Sequence, residues 1–572
     1  MVRSTGNALM FLTSFIFTLT LLVILCAGLF HIFGILLAMP AAGACPVTDI
    51  EELKLGAVLE DQCLVPNTPI ENYEYDGAIT MDFRPHNKMQ RNSKFEKLSG
   101  PKARVHGIVF SQLQPALAKN TAKNEEAAIT MRYLRKVMTA QAESFINLKD
   151  WVMTGVKRIF GGRYKLLPPE VAEWFRHMKP AKIRELLKAF ASLITLPLNR
   201  RIDAVRNIFI KLELQVPKLD AIENWEHFIY SYIPRLVSGT TARFNAVVGP
   251  WIYAVAEKLR EVWNGLNGIL YAKGSDAGRI LGDFFAKAAF WGEGDGVKWD
   301  LHTGEEALRF VHWVYEWVFG IPRNIIEALN WRFKSKAYSR FYDVLVEWVR
   351  HSGDQDTSTG NSILNGCIGD FILQHYDRVR AVDGDDDLTM FLNSTDFALI
   401  DTKEVERMWA QFGYEFEYKI TNKPSQVTFC SKLFFPTLED GNKCYRPGAL
   451  PGKFLAKIGC SFKHIEENHY AKVLNGCASN IDHVPLLHEI HEMVVEMCGG
   501  ETGVILPEDY PYKLINDRSY PCVEEAYDMF QDRYGVGKLE IDGLCGQVRQ
   551  LGTFPMAINS GLMLRLVAID TK

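Results

Sequence analysis

The chain has 572 residues, a formal net charge of −4, 48% hydrophobic residues and 12% aromatic residues. That composition excludes a disordered chain. The small net charge excludes nucleic-acid binding through bulk charge and leaves only local basic clusters for that task.

Residues 8–42 are almost wholly apolar, interrupted mainly by Thr, Ser, Gly and His31. One straight membrane pass needs about 20 residues, so the run is long for one span and short for two. A tilted anchor or a tight membrane hairpin over residues 1–45 fits it. The competing reading is a cleaved signal peptide, with Arg3 ahead of the apolar core and Ala41-Ala42-Gly43-Ala44 behind it, but the core is too long for that. Asp49, Glu51, Glu52, Glu60 and Asp61 follow the run. A simple charge rule would then place the body outside the cytosol, whereas a hairpin keeps it inside.

Residues 46–100 are mixed and turn-rich. Residues 125–200 read as helical, with amphipathic stretches at 125–138 and 180–193, broken by Gly161-Gly162 and Pro168-Pro169. Residues 203–290 alternate short apolar runs with helical segments, and apolar spacing over 484–497 predicts helix again. Eleven cysteines include no Cys-x-x-Cys pair, and eight of them follow residue 360. This usage fits reduced, buried thiols better than a disulfide framework or a zinc site.

Three polar stretches in the middle of the chain carry chemistry. The first is Asp295-Gly296-Val297-Lys298-Trp299-Asp300, after Phe290-Trp291 and before an amphipathic run at 305–312; it reads as a strand end leading into a helix. The second is Ser352-Gly353 followed by Thr357 and Gly360-Asn361, with Asn361 opening a helix over 362–372. The third is Gly384-Asp385-Asp386 at the tip of a strand-turn-strand. Phosphoryl transfer through two Mg²⁺ ions about 3.5–4 Å apart needs acids from separate elements that converge at one point. Asp295 and Asp385 are the candidates, with Asp386 beside them. Each stretch alone has a bland reading: a pair of surface acids, a polar turn capping a helix, an acidic turn. A calcium loop is a poor match, because Leu388 stands where the required Gly belongs and Ser394 where the bidentate Glu belongs. Asp383 and Asp387 bring the acids at the tip to four, and their repulsion would make a cation important for holding the tip together.

In this order the three stretches resemble motifs A, B and C of viral RNA-dependent RNA polymerases. The first is similar to the version found in tombusvirus-like enzymes of positive-strand RNA viruses. The resemblance implies an α+β, right-hand polymerase fold: an N-terminal extension and fingers over 46–200, further fingers with motif F over 201–290, a palm with motifs A–E over 291–435, and a thumb over 436–572, behind the 1–45 anchor. The palm would be a small antiparallel sheet with helices on one face. The implied activity is RNA-templated RNA synthesis from nucleoside triphosphates, with Mg²⁺ (or Mn²⁺) on Asp295, Asp385 and Asp386. Asp300 and Asn361 would contact the ribose 2′-hydroxyl, and Ser352, Gly353 and Thr357 would shape the loop against the template.

Residues 412–419 resemble motif D, so Lys419 would protonate the pyrophosphate leaving group, with Lys423 as the alternative. Residues 427–432 resemble motif E. Residues 209–213, 234–237 and 243–245 resemble part of motif F, so Arg235, Arg243 and Lys211, together with Lys273, would line the path of RNA and nucleotide. Implied partners are template and nascent RNA, nucleoside triphosphates, a host membrane at a cytoplasmic replication site, and further copies or other replication proteins. The alternative is a catalytically inactive, membrane-bound RNA-binding scaffold, against which the complete acidic set argues. Asp300 and Asn361 argue against a reverse transcriptase. No G-x4-G-K-[ST] is present, which excludes a fused P-loop helicase of that pattern. Gly543-Leu544-Cys545-Gly546 resembles the nucleophile loop of chymotrypsin-like viral cysteine proteases, but no suitable His precedes it, and it reads as a turn in the thumb.

Overall fold

Short runs of aromatic and branched residues, alternating with glycine or acid, form the centre of the fold. Five of them are β1 (Ile269–Tyr271), β2 (Phe290–Gly296), β3 (Arg378–Asp383), β4 (Asp386–Phe391) and β5 (Phe416–Thr421), and they pair in the order β5-β2-β4-β3-β1. This is a computed structural model that describes residues 72–571 except 76, 78, 80–81, 93–102, 111–112, 114, 177, 217–231, 266–267, 275 and 507–515. The expected membrane segment at 1–45 lies outside the described residues. Among the described residues no helix is long and apolar enough to cross a membrane.

The sheet is mixed, where the sequence predicted an antiparallel one. β5–β2, β2–β4 and β4–β3 are antiparallel, but β3–β1 is parallel. Connectivity explains the difference: after edge strand β1 the chain runs through the helix Ala277–Phe285 and enters the sheet again at β2, three positions away.

Alternation along the strands sends side chains to two covered faces. Phe290, Val382, Phe391, Phe416 and Tyr418 enter a core with helices α1 (Ala142–Phe160), α2 (Ala242–Gly265), α3 (Glu305–Trp317), α4 (Thr357–Ile372) and α5 (Thr402–Gln411). Trp291, Val379, Ala381, Leu388 and Met390 face the helix Ala277–Phe285 and the strands Thr428–Phe429 and Lys432–Glu439. Helices therefore do not cover one face alone. The second cover is partial, and Asp295, Asp385 and Asp386 remain exposed at that end of the sheet.

A second five-stranded sheet contains Arg206–Ile210 paired antiparallel with Leu236–Thr240, two strands that overlap the expected motif F segments 209–213 and 234–237. The predicted helix at 125–138 is shorter than expected. It runs Ala122–Ile129, turns into a π-helix at Thr130–Leu134, and stops before Arg135. The π turn shifts the phase so that Ile129, Tyr133 and Leu134 all reach one core, which leaves Arg132 and Arg135 partly exposed. The helix predicted at 180–193 is present as Pro180–Thr195, and Gly161 ends α1 with φ +71°.

Six helices between Pro451 and Asp570 share the C-terminal core with the strands beside them. The turn expected at 543–546 is instead the middle of the helix Lys538–Leu551. Ile541, Leu544, Cys545 and Val548 fall at i, i+3, i+4 and i+7 and form its buried stripe. All eight cysteines among the described residues are free thiols.

Two glycines let α4 pack closely. A Cβ at Gly366 would come within 2.5 Å of the Trp263 ring, and one at Gly369 within 2.1 Å of the Arg380 guanidinium. Arg380 is fully buried and paired with Asp387 at 2.9 Å, so it cannot yield. Gly369→Ala is therefore expected to lower stability by about 1–3 kcal/mol or more, read as a drop in the midpoint of urea unfolding.

Candidate active site

The third polar stretch forms a tight hairpin. Asp383 pairs with Asp386, and Gly384 and Asp385 make the two-residue turn. Gly384 has φ +69°, and Asp385 is not among the positive-φ residues; this is the pattern of a turn that places glycine first. A Cβ at Gly384 would meet nothing within 4 Å. The position therefore needs glycine for its backbone angle and not for space.

Helix α4 fixes this turn. The Gly384 N–H donates to Ser362 Oγ at 2.7 Å. The Asn365 amide Nδ2 lies 3.3, 3.2 and 3.2 Å from the carbonyl oxygens of Gly384, Asp385 and Asp386. Asn365 Oδ1 accepts from Arg380 at 3.0 Å, and Arg380 also donates to the Asn365 and Gly366 carbonyls at 3.0 Å. Contacts from α4 thus hold the backbone of the tip. Alternation turns Asp387 to the helix-covered face, onto Arg380, while Asp383 is paired with Lys273 Nζ at 2.6 Å. Lys273, expected along the nucleotide path, is thus the counter-charge of Asp383.

Asp295 ends β2. Glu417 of β5 lies across from it, and on the other flank Gly294 pairs with Asp387, which brings Asp386 alongside Asp295. Asp385 and Asp386 are exposed at the sheet end, yet protein atoms crowd around their carboxyls. Desolvation pushes the Asp385 carboxyl up to about 6, helped by the negative charges of Asp300 and Asp295, while Arg235 pulls it back. Desolvation raises Asp386 to about 7, with Asp385, Asp383 and Asp295 adding to the rise. Acids from two stretches some 90 residues apart therefore lie within electrostatic reach of one another. Among the described residues no three His, Cys, Asp or Glu side chains form a ready-made metal cage.

The second polar stretch clasps the end of the first. Asp300 accepts from the Ser352 hydroxyl and from Asn361 Nδ2, the latter at 2.9 Å. Asn361 Oδ1 is buried and has no hydrogen-bond partner, an orphan acceptor of a kind that calls for an explanation. Helix α4 starts at Thr357, so Asn361 lies inside it and does not open it as predicted. Thr357 Oγ1 donates to the carbonyls of His351 and Asp354 at 2.8 and 3.0 Å and closes the loop. Gly353 has φ +121°, and a Cβ there would stand 2.8 Å from the Ser238 carbonyl oxygen. The loop base is a buried ion network: Arg206–Asp354 at 2.5 Å, Arg332–Asp356 at 2.7 Å and Arg350–Asp356 at 2.9 Å.

The remaining expected residues fall into two groups. Lys419 is exposed on β5 opposite Glu293, on the face that also carries Asp295, and forms an ion pair with Glu417 at 3.6 Å. Lys423 is exposed beyond the end of β5. Arg235 is half exposed and shares Glu213 with Lys211, at 3.6 and 2.7 Å respectively. Arg243 is not available as a phosphate contact. Its guanidinium is taken by Asp203, the Ser192 hydroxyl and the carbonyls of Leu196 and Pro197 at 2.9, 2.6, 2.7 and 3.1 Å. The hairpin at 428–432 turns through Cys430 and Ser431 at φ 51° and 56°, and the Cys430 thiol is hydrogen-bonded to Asp386.

A cationic group was missed by the sequence reading. Lys298 adopts φ 50° just before the short helix Trp299–His302. Its ammonium is held below its usual range by desolvation and by the positive charges of Arg135 and Arg132. Tyr133, between those arginines, feels the charge of Asp300, and Tyr232 feels both Arg235 and Arg132. Lys298 lay in plain view inside the first polar stretch. Arg132 and Arg135, some 160 residues earlier, carried no signal.

Residues 292–502 match the family model described as viral RNA dependent RNA polymerase. The resemblance to viral RNA-dependent RNA polymerases therefore holds. The chain is similar to the RNA-directed RNA polymerase of Turnip crinkle virus, 25% identical over 280 residues, which are 46% of this chain and 34% of that protein. It is 24% identical to the RNA-directed RNA polymerase of Melon necrotic spot virus over 293 residues, 49% of this chain and 35% of that one. For the enzyme of Maize chlorotic mottle virus the figures are 25% over 262 residues, 42% and 25%. The chain thus spans between a quarter and about a third of the length of these relatives. All three polymerase motifs that carry acids or the Ser-Gly loop lie inside the matched segment; the strands Arg206–Ile210 and Leu236–Thr240 lie outside it.

Two predictions follow from the charges and the turn. The Asp385 and Asp386 carboxyls titrate higher in the fold than the roughly 3.9 of an unfolded Asp, so the folded state binds more protons and loses stability as pH rises from about 4 to about 7. In metal-free protein, Asp385→Asn and Asp386→Asn should raise Tm at pH 7 by about 1–2 °C or more, with the gain vanishing near pH 4. Asn365→Ala unties three carbonyls and should lower stability by about 1–3 kcal/mol, measured by urea unfolding.

Proposed function

We propose that this chain synthesises RNA from nucleoside triphosphates on an RNA template, by two-metal nucleotidyl transfer. The observation that carries the reading is the meeting of Asp295 and Asp300 with Asp385 and Asp386 at one open sheet end, with Arg235 in reach of Asp385 and the group Lys298, Arg132 and Arg135 on the side of Asp300. Acids below and cations around them suit a substrate that brings a triphosphate and needs its charge divided between the two.

In this reading the five-stranded sheet is the palm, the elements before it form the fingers, and the C-terminal helices form the thumb. Divalent cations held by Asp295 and Asp385, with Asp386 beside them, would activate the attacking hydroxyl and neutralise the leaving pyrophosphate; the oxygen-only donor set and its mutual repulsion fit Mg²⁺ or Mn²⁺. Asp300 is held by Ser352 and Asn361, and the unsatisfied Asn361 Oδ1 supports a role in accepting a hydrogen bond from the ribose 2′-hydroxyl. Arg235 and Lys211, with Arg132, Arg135 and Lys298, would take the phosphates. Lys419, solvent-exposed on the side of β5 that carries Asp295, is the proposed proton donor to pyrophosphate. Replication of a viral genome and attachment to a host membrane through residues 1–45 belong to the same proposal, the latter resting on the apolar run alone.

Primer extension with the purified full chain tests the reading. Asp385→Ala should abolish incorporation while the fold is retained; full activity in that variant would refute the assignment of the acids, and no activity in the parent chain would favour the inactive scaffold. Lys298→Ala and Arg132→Ala should each raise the KM for nucleotide about tenfold, equivalent to about 1.4 kcal/mol. Asn361→Asp should narrow the preference for ribonucleotides over deoxynucleotides.

A further inference from the structure

Residues 163–202 carry nine Lys and Arg against three Glu, a net charge of +6 in a chain whose total is −4. Within this stretch the helix Pro180–Thr195 turns one side into a core with Trp174, Phe175 and Ala246. Its C-terminal end does not continue that burial. Ile194 is 80% exposed, and beyond the helix Leu196 and Ile202 are 51% and 55% exposed. Lys188, Arg200 and Arg201 are exposed as well, and their side chains have no partner among the described residues.

The loop is tied to α2 in spite of its exposure. Arg243 reaches from α2 and ties down Ser192, the Leu196 and Pro197 carbonyls, and Asp203. Asp203 Oδ2 in turn accepts from the Asn199 N–H at 2.7 Å, and the Asn199 side chain caps the next short helix. An arginine that would otherwise be free for phosphate is thus committed to presenting three aliphatic side chains to solvent. Ordering such a segment in advance removes the entropy cost of ordering it on binding.

We propose that the loop 194–202, with Lys188 beside it, docks on an anionic lipid bilayer. Aliphatic side chains flanked by unpaired Lys and Arg are what an interfacial contact needs: the apolar groups enter the acyl boundary while the cations stay with the headgroups. A single-stranded RNA would take the cations but would want aromatic platforms for its bases, and every exposed apolar side chain between 188 and 202 is aliphatic. The proposal is independent of the reaction and of any anchor at residues 1–45.

Hydrogen–deuterium exchange of the full chain on phosphatidylcholine vesicles, with and without phosphatidylserine, tests it at the loop itself. Amides of 194–202 should exchange about tenfold more slowly on the anionic vesicles than on neutral ones. Ile194→Asp with Leu196→Asp should remove that protection, and so should Arg200→Glu with Arg201→Glu; all four positions are exposed, so the fold is kept. Unchanged exchange on anionic vesicles would overturn the proposal, as would equal protection in the variants. Protection by a single-stranded RNA and not by vesicles would overturn it in favour of a template contact. Protection that rises with protein concentration in the absence of lipid would overturn it in favour of an interface between copies.

Discussion

Carboxylates gathered at the open end of a sheet repel one another, and the grip of one helix keeps them together. Asn365 spreads its amide across three successive carbonyls of the acidic turn, Ser362 takes the Gly384 N–H, and Arg380 locks Asn365 from behind while pairing with Asp387. These contacts hold the backbone and leave the Asp385 and Asp386 side chains exposed to solvent. Backbone position is set by this buried polar network and not by the Asp385 and Asp386 carboxylates, which stay open to solvent. The glycines of α4 serve the same end, because only a missing Cβ lets Trp263 and Arg380 come so close.

The same economy of charge extends around the site. Of the four acids near the tip, one is neutralised by Arg380 and one by Lys273. The two that remain, with Asp295 and Asp300, form the negative floor. Arg132, Arg135, Arg235 and Lys298 supply the positive surroundings. Desolvation, with like charge adding to it, holds the Asp385 and Asp386 carboxyls up and the Lys298 ammonium down. In the proposed reading, a ligand that carries negative phosphates together with divalent cations would complement both.

Buried charge recurs in the loop at 350–356. Arg206, Arg332 and Arg350 meet Asp354 and Asp356 with almost no exposure. Such a network is a weak source of net stability, but removing one partner strands another. Its consequence here is positional: it fixes where Ser352 stands, and so how Asp300 is held.

The sequence by itself determined the α+β class, the three polar stretches, the glycine at the hairpin tip and the serine and asparagine that accompany them, because each is legible in local residue order and turn geometry. It also marked Pro180 and Gly161 as helix boundaries. The tertiary structure alone decided which charges oppose which. Lys273 turned out to serve Asp383, Arg243 a loop far from it in sequence, and Arg132 joined Lys298 across some 160 residues. It also decided that β1 runs parallel to β3 and that 543–546 is helix, since strand partners and buried stripes are chosen by the packing of distant segments. Coulomb energy depends on distance in space, and spacing along a chain fixes that distance only within one element.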